Sequence, residues 1–267
     1  MIMTKIAFLG AGNIAQAIIG GLTSNGFNAS DIWAADPSES QRQKLDQLGI
    51  NTSENNEIAA QNADVIVISV KPNIVAELAR SIGPIIQGKL VISVAAGITS
   101  TSLSTWLTNS AVIRCMPNTP ALIQRGMTGL YATDSVSQEQ RSLAETILSA
   151  IGDTRWFKQE SDLDAVTAIS GSGPAYFFYV IEVMQLAAEK LGLSAEESRQ
   201  LVLQTAVGAA EMALQSTLPT AELRHNVTSP GGTTEAALKS LQRADLENIF
   251  LEAMTAAKDR SEALSKD

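Results

Sequence analysis

Residues 228–234 combine polar groups with a constrained backbone from which an anion-binding site could be built. The segment reads Thr-Ser-Pro-Gly-Gly-Thr-Thr and opens a helical pattern that runs to Leu241. A proline in the first turn of a helix costs no hydrogen bond, and glycines leave the free N–H groups of that turn uncovered. A carboxylate or phosphate could bind there. The same residues also fit an ordinary helix start capped by serine, so the segment alone leaves both interpretations open.

A second glycine-rich segment follows an apolar run near the amino terminus. Residues 5–9 predict a buried parallel strand, and Gly10-Ala11-Gly12-Asn13-Ile14-Ala15 leads directly into a helical pattern. In a G-x-G-x-x-G/A pattern, the first glycine allows the tight turn and the second lets the backbone approach a pyrophosphate. The small third residue keeps the helix close to the sheet. Strand, turn and helix together predict dinucleotide binding, with a close-packed turn that binds nothing as the alternative.

Asp36 follows the second predicted strand, residues 31–35. An acidic side chain at this place would bind the ribose 2′-hydroxyl of NAD and disfavour the phosphate of NADP. The sequence Asp-Pro-Ser-Glu that starts at Asp36 also fits a helix N-cap with a capping box. Ser38, Ser40 and Arg42 offer groups that could bind a phosphate. Both functions of Asp36 stay open, and the cofactor preference stays open with them.

Two further strands end in residues that could contact a ligand. Residues 64–70 form the clearest buried strand and stop at Lys71-Pro72, where the proline predicts a helix start, and residues 90–96 end in two small alanines before Gly97. In an open α/β sheet, ligands bind at the carboxyl ends of the strands. Small residues there leave room for a flat ring. Lys71 could therefore meet a phosphate or the substrate, or it could be a solvated lysine.

The positions of these motifs depend on two kinds of secondary structure. Strand and helix patterns alternate over residues 1–160, which predicts an α/β domain. Ala- and Leu-rich helical spacing replaces the strand patterns over residues 161–267, which predicts an all-helical domain. Within it, Ser194-Ala195-Glu196-Glu197 predicts a helix start with a capping box. This second part is small and carries wide apolar faces, as in residues 176–181. We therefore expect self-association through it.

Composition narrows the classes of function. The chain has 267 residues and a net charge of −9, so its field repels polyanions and nucleic acid is not an expected partner. One cysteine and one histidine exclude an internal disulfide and a Cys/His zinc site. No apolar run is long enough for a bilayer, and no signal peptide is indicated at the start. The expected location is the cytoplasm, without membrane attachment.

Five motifs together resemble the Δ1-pyrroline-5-carboxylate reductase family, among dehydrogenases that share the architecture of 6-phosphogluconate dehydrogenase. These motifs are Val70-Lys71-Pro72, Ala95-Ala96-Gly97, residues 114–120, residues 170–176 and residues 229–234. Met-Pro-Asn-Thr-Pro and Ser-Pro-Gly-Gly-Thr-Thr are specific to that family, and the likeness covers essentially the whole chain. It implies an N-terminal Rossmann-type dinucleotide-binding domain followed by an all-helical dimerisation domain.

The resemblance also implies an activity, which is reduction of 1-pyrroline-5-carboxylate to L-proline, the last step of proline biosynthesis. The hydride would come from NADP(H), with NAD(H) as the alternative, because many relatives carry a polar or basic residue where this chain has Asp36. Family enzymes interlock their helical domains as dimers, which often assemble further into rings.

Individual functions follow from the matching motifs. The residues expected to bind the cofactor are Leu9, Gly10, Ala11, Gly12, Asn13, Ile14, Asp36, Asn56, Val70, Lys71, Ala95 and Ala96. The residues expected to hold the substrate are Ser229, Gly231, Gly232, Thr233 and Thr234. The carboxylate is expected on the N–H groups of the glycine turn, aided by the helix dipole. Thr234 is the expected catalytic residue and would orient the imine nitrogen, whose proton would come with the substrate or from solvent because a hydroxyl is too weak an acid.

Two other functions remain as alternatives. A β-hydroxyacid dehydrogenase of similar architecture would need an inward-facing catalytic lysine, but Lys190 stands at a helix end and no Gly-x-x-Gly-x-Gly-x-x-x-Lys pattern occurs. A non-catalytic dinucleotide sensor would need no pocket rich in hydroxyls, so residues 228–234 argue against it.

Overall fold

The chain divides into two compact units in the computed structural model, which describes residues 4–108 and 111–265. The first unit comprises Met1–Ser172 with Ala257–Asp267, and the second comprises Gly173–Ala256. This division differs from the expected limits at 160 and 161, because the residues just after 160 pack within the first unit. The hydroxyl of Ser261 donates to Asp164 Oδ1 at 2.7 Å there.

The first unit is built on one eight-stranded sheet. The strands are β1 (Ile6–Leu9), β2 (Ile32–Ala35), β3 (Asn51–Ser53), β4 (Val65–Ile68), β5 (Leu90–Ser93), β6 (Val112–Met116), β7 (Gly126–Ala132) and β8 (Gly152–Trp156). Their order in the sheet is β3-β2-β1-β4-β5-β6-β7-β8. The strands β1 to β6 pair in parallel, and β7 runs antiparallel to β6. The parallel part has the strand order of a dinucleotide-binding Rossmann sheet, as predicted.

Helices cover both faces of this sheet. They are α1 (Asn13–Ser24), α2 (Glu39–Asp46), α3 (Asn56–Gln61), α4 (Pro72–Ile82), α5 (Ser100–Leu107), α6 (Gln138–Leu148) and α7 (Asp162–Val166). Alternate residues of β1 enter separate cores, with Ile6 and Phe8 on one face and Ala7 and Leu9 on the other. Burial on both faces explains why the central strands β1 and β4 are continuously apolar.

The second unit is helical, and no strand occurs among its residues. Its helices are α8 (Gly173–Lys190), α9 (Ala195–Gln215), α10 (Thr220–Asn226), α11 (Thr233–Arg243) and the first part of α12 (Leu246–Leu264). The start of α9 has the predicted capping box, since Ser194 Oγ accepts from the Glu197 N–H at 3.3 Å and Glu197 Oε2 accepts from the Ser194 N–H at 2.9 Å. The helix α10 was not predicted.

Within residues 4–108 and 111–265, none of the helices is both long and apolar enough to cross a membrane. No cluster of three or more His, Cys, Asp or Glu side chains in the same ranges could hold a metal ion.

Candidate active site

The turn between β1 and α1 is built around Gly10. Its φ is +99°, and an added Cβ would lie 2.7 Å from the carbonyl oxygen of Ser69. The Ser69 hydroxyl donates to the carbonyl oxygens of Leu9 at 3.1 Å and Gly10 at 2.7 Å. Only glycine fits this position, as the sequence pattern predicted. Ser69 supports the turn and was missed, because its proximity depends on the pairing of β1 with β4.

Gly12 presents open space in place of packing. It is the N-cap of α1, which has no side-chain cap, and among the described residues other than its two chain neighbours no atom lies within 4 Å of an added Cβ. The first N–H groups of α1, from Asn13 and Ile14, have no partner within the described part of the chain. An uncovered helix start of this kind suits the pyrophosphate of a dinucleotide.

Asp36 closes the same turn from the end of β2. Its Oδ2 accepts from the Ala11 N–H at 2.9 Å and its Oδ1 accepts from the Ser38 N–H at 2.9 Å. The predicted capping box at Asp36 is therefore wrong. The helix α2 begins at Glu39 with Ser38 as N-cap, because the Asp36 carboxylate is bound by the glycine turn and by a local Asx turn.

The groups expected to bind a phosphate near Asp36 are already paired with protein atoms. The Arg42 guanidinium donates to the carbonyl oxygens of Asp36 at 2.7 Å and Pro37 at 3.0 Å, and the hydroxyls of Ser38 and Ser40 lie 2.9 Å apart. They form a polar rim at the end of β2.

The remaining cofactor candidates lie at the carboxyl ends of β4 and β5, which neighbour β1 in the sheet. Lys71 is exposed and is the N-cap of α4, with proline at the first helical position, as predicted. Val70 is half-buried, Ala95 is buried, and Ala96 is exposed. Parallel pairing thus brings these residues to the same sheet edge as the glycine turn.

Asn56, the first residue of α3, carries a buried acceptor without a donor. Its Oδ1 has no hydrogen-bond partner within residues 4–108 and 111–265. The neighbouring Asn55 caps the helix, since its Oδ1 accepts from the Glu57 N–H at 2.7 Å. Buried acceptors are usually paired, so a donor from a ligand would satisfy this oxygen. Together with the space at Gly12, this atom shows that the residues present fit a dinucleotide.

The turn before α11 differs from its predicted form. The helix begins at Thr233 with Gly232 as N-cap, and no side chain caps it, so both the serine cap and the placement of Pro230 in the first turn are wrong. The reason is the backbone of Gly231, whose φ of +71° cannot continue into a right-handed helix. A tight turn comes first instead, closed by the Gly232 N–H donating to the Ser229 carbonyl oxygen at 3.0 Å.

The donors at this turn are unequally available. The Gly231 N–H donates to Glu235 Oε2 at 2.7 Å, and the Gly232 N–H is used in the turn. The N–H groups of Thr233 and Thr234, and the Thr234 hydroxyl, have no partner among the described residues. These threonines therefore offer the open donors. Glu235 was missed, although a glutamate three residues after an N-cap is the usual signal, because the helix start had been placed too early.

Glu160 holds the residues that follow β5. Its Oε1 accepts from the Ser100 N–H and from Arg114 Nη1, both at 2.6 Å, and its Oε2 accepts from the Ser100 hydroxyl at 2.6 Å. Partial burial would raise the pKa of Glu160, but the hydrogen bonds from Ser100 and Arg114 outweigh it and the pKa lies below its usual range. This carboxylate thus fixes the start of α5, immediately after the Ala95-Ala96-Gly97 motif.

Two other motif residues have structural functions. The Asn118 side chain donates to the Ser170 carbonyl oxygen at 3.1 Å and accepts from the Met127 N–H at 2.9 Å, which joins two of the family motifs. Cys115 is buried, and desolvation raises the pKa of its thiol to about 12, so it is not a nucleophile at neutral pH.

A Rossmann-type sheet with an open glycine turn, followed by a helical unit with its own open helix start, defines a dinucleotide-dependent oxidoreductase. Residues 160–264 match the family model described as pyrroline-5-carboxylate reductase dimerisation, and residues 5–97 match the model described as NADP oxidoreductase coenzyme F420-dependent. Pyrroline-5-carboxylate reductase of Pseudomonas aeruginosa is 48% identical over 265 residues, which cover 98% of this chain and 97% of the relative. The chain belongs to the pyrroline-5-carboxylate reductase family.

Solved structures agree with this assignment. A pyrroline-5-carboxylate reductase from Coxiella burnetii has a TM-score of 0.94 and 39% identity, covering 99% of this chain and 100% of the other. The Plasmodium falciparum pyrroline carboxylate reductase, solved with NADP bound, has a TM-score of 0.87 and 32% identity, covering 99% of each chain. The predicted fold and family are confirmed.

Proposed function

We propose that this protein reduces 1-pyrroline-5-carboxylate to L-proline, the last step of proline biosynthesis. The observation that carries the proposal is family membership over the whole chain at 48% identity, with both glycine turns of the family in place. The reaction adds one hydride to the imine carbon and one proton to the imine nitrogen. It needs no covalent nucleophile and no metal, so positioning supplies most of the catalysis.

NADPH is the proposed cofactor and supplies the hydride when bound. The pyrophosphate would lie on the open N–H groups at Gly12, Asn13 and Ile14, and Asn56 Oδ1 would accept a hydrogen bond from a hydroxyl. The NADP bound to the relative from Plasmodium falciparum supports this choice over NADH. The other proposed contacts are Leu9, Gly10, Ala11, Asp36, Val70, Lys71, Ala95 and Ala96.

The substrate carboxylate is proposed to bind at the start of α11. The free N–H groups of Thr233 and Thr234 and the positive end of the helix dipole favour an anion there, and the Ser229 hydroxyl lies in the same turn. Gly231 and Gly232 give the turn its shape. The Thr234 hydroxyl would orient the imine nitrogen, and the proton would come with the substrate or from solvent.

Self-association is proposed through the mainly helical part of the chain, residues 161–267. The match to a dimerisation model supports it, as does the exposure of large apolar side chains on α8, where Phe177 is 71% and Tyr179 is 67% exposed. We propose a dimer that assembles further into a ring, located in the cytoplasm and bound to neither nucleic acid nor membrane. Light scattering at micromolar concentration tests the self-association, and a folded monomer would exclude the dimer and the ring.

One assay tests the activity. Purified protein should consume reduced nicotinamide, followed by absorbance, when 1-pyrroline-5-carboxylate is added, and L-proline should accumulate in equal amount. The counter-test is oxidation of 3-hydroxyisobutyrate, the substrate class of the β-hydroxyacid dehydrogenase alternative. Turnover of that compound alone, or of neither, would reject the proposed function, and binding of NADPH without either turnover would favour a sensor.

A further inference from the structure

The turn that is proposed to bind the substrate carboxylate already holds a carboxylate of the chain itself. Glu235 Oε2 accepts from the Gly231 N–H at 2.7 Å, and Glu235 Oε1 lies 3.0 Å from Lys239 Nζ. Hydrogen bonds from Lys239 and Gly231 hold the pKa of Glu235 below its usual range, so the group is ionised at neutral pH. A full negative charge therefore stands beside the open N–H groups of Thr233 and Thr234.

We propose that Glu235 lowers the affinity for the substrate, because its carboxylate competes with the substrate carboxylate for the start of α11. The inference rests on the proposed function, because it takes the turn of residues 229–234 as the site of the substrate carboxylate. Two carboxylates at one helix start draw on the same dipole and repel each other, so the internal one weakens binding of the external one. Glu235 thus raises the KM for the substrate.

Lys239 limits this competition. Its ammonium group pairs with Glu235 one helical turn away and offsets part of the negative charge, although its side chain is 65% exposed and the pair is accessible to salt. Without Lys239, the repulsion of the substrate carboxylate should increase. The two residues are therefore expected to shift substrate affinity in opposite directions when they are neutralised.

The alternative function of Glu235 is purely structural. A glutamate in the first turn that accepts a backbone N–H stabilises a helix start, and its removal would lower the melting temperature without changing substrate affinity. Glu235→Gln separates the two, because glutamine keeps an oxygen that can accept from Gly231 and removes only the charge. Glu247→Gln is the matched control, since Glu247 is exposed in the first turn of α12 and its replacement changes the net charge equally.

The experiment measures the KM for 1-pyrroline-5-carboxylate, the inhibition constant of L-proline and the KM for NADPH in the wild type and in Glu235→Gln, Lys239→Met and Glu247→Gln. In Glu235→Gln, the first two constants should fall about two- to fivefold, the range expected for one exposed charge interaction, with a smaller change in kcat. In Lys239→Met both should rise. Glu247→Gln should leave all constants unchanged, and the KM for NADPH should stay constant throughout.

Unchanged or weaker substrate affinity in Glu235→Gln, at any melting temperature, would overturn the inference and leave Glu235 with only a structural function at the helix start. That outcome leaves the proposed function standing, because the wild type still turns over. A wild type that does not reduce 1-pyrroline-5-carboxylate would reject the proposed function, and the inference with it.

Discussion

Replacing Gly10 or Gly12 by alanine adds one methyl group to the turn between β1 and α1. We expect the two variants to have different effects, with Gly10→Ala lowering the stability of the fold and Gly12→Ala weakening cofactor binding. Gly10 has a φ of +99°, and a Cβ there would lie 2.7 Å from Ser69 O and 2.9 Å from Val70 N. A left-handed alanine costs about 1–2 kcal/mol, and the clash with rigid backbone brings the expected loss for Gly10→Ala to roughly 2–4 kcal/mol. In a domain of this size that loss lowers Tm by roughly 5–15 °C.

Gly12→Ala should behave in the opposite way. The Gly12 backbone has φ −71° and ψ −177°, which any residue adopts, and apart from its two chain neighbours no atom of the described residues lies within 4 Å of the added Cβ. We expect a change in stability within about 0.5 kcal/mol. The methyl group would occupy the space needed by the pyrophosphate, so the KM for NADPH should rise about tenfold or more, a loss of about 1.4 kcal/mol or more.

The assay pairs thermal unfolding of the cofactor-free protein, at one protein concentration, with the KM for NADPH at saturating 1-pyrroline-5-carboxylate. Fixed concentration matters because association shifts Tm. The reasoning is refuted if Gly12→Ala loses as much stability as Gly10→Ala and keeps a wild-type KM for NADPH. The turn between β1 and α1 would then be a close-packed structural turn that binds no cofactor.

Three further predictions concern single side chains. Thr234→Ala should lower kcat about tenfold or more with an unchanged KM for NADPH, and an unaffected kcat would remove Thr234 from the mechanism. Asp36→Ser should shift the ratio of NADPH to NADH preference if Asp36 meets the ribose, whereas a lower Tm alone would assign its carboxylate to the turn. Glu160 has a pKa below its unfolded value, so its stabilisation is present above that unfolded value and is lost as pH falls through the folded one. Acid unfolding of Glu160→Gln should therefore be less steep than that of the wild type in this range, and parallel curves would contradict the contribution of Glu160.

Local sequence signals predicted much of the fold. The capping box at Ser194 and the start of α4 after Lys71 depend only on residues within one helical turn, and both have the predicted form. The apolar run of β1 and the glycines that follow it predicted the first turn of the nucleotide site for the same reason. Such features depend on the steric fit and hydrogen bonds of neighbouring residues, so they do not require distant contacts.

The same kind of signal failed at Asp36 and at Pro230. Asp36 fits a capping box locally, but the Ala11 N–H, 25 residues earlier in the chain, binds its carboxylate. Pro230 fits a helix start locally, but the left-handed Gly231 delays α11 to Thr233. Apolar periodicity did not indicate either result, because it reports neither the hydrogen-bond partner of a carboxylate nor the φ of a glycine.

By itself, the sequence determined the strand and helix types, the need for glycine at position 10 and the family to which the chain belongs. Only the tertiary structure decided which donors and acceptors remain free for ligands. Ser69 reaches Gly10 across 59 residues, because parallel pairing of β1 with β4 brings their carboxyl ends to one edge of the sheet, and Glu160 reaches Ser100 across 60 residues. At the start of α11, folding of the helix turns Glu235 back onto Gly231 and leaves Thr233 and Thr234 with open N–H groups. A polar group's function depends on its partners, and those partners are assembled only when the backbone folds.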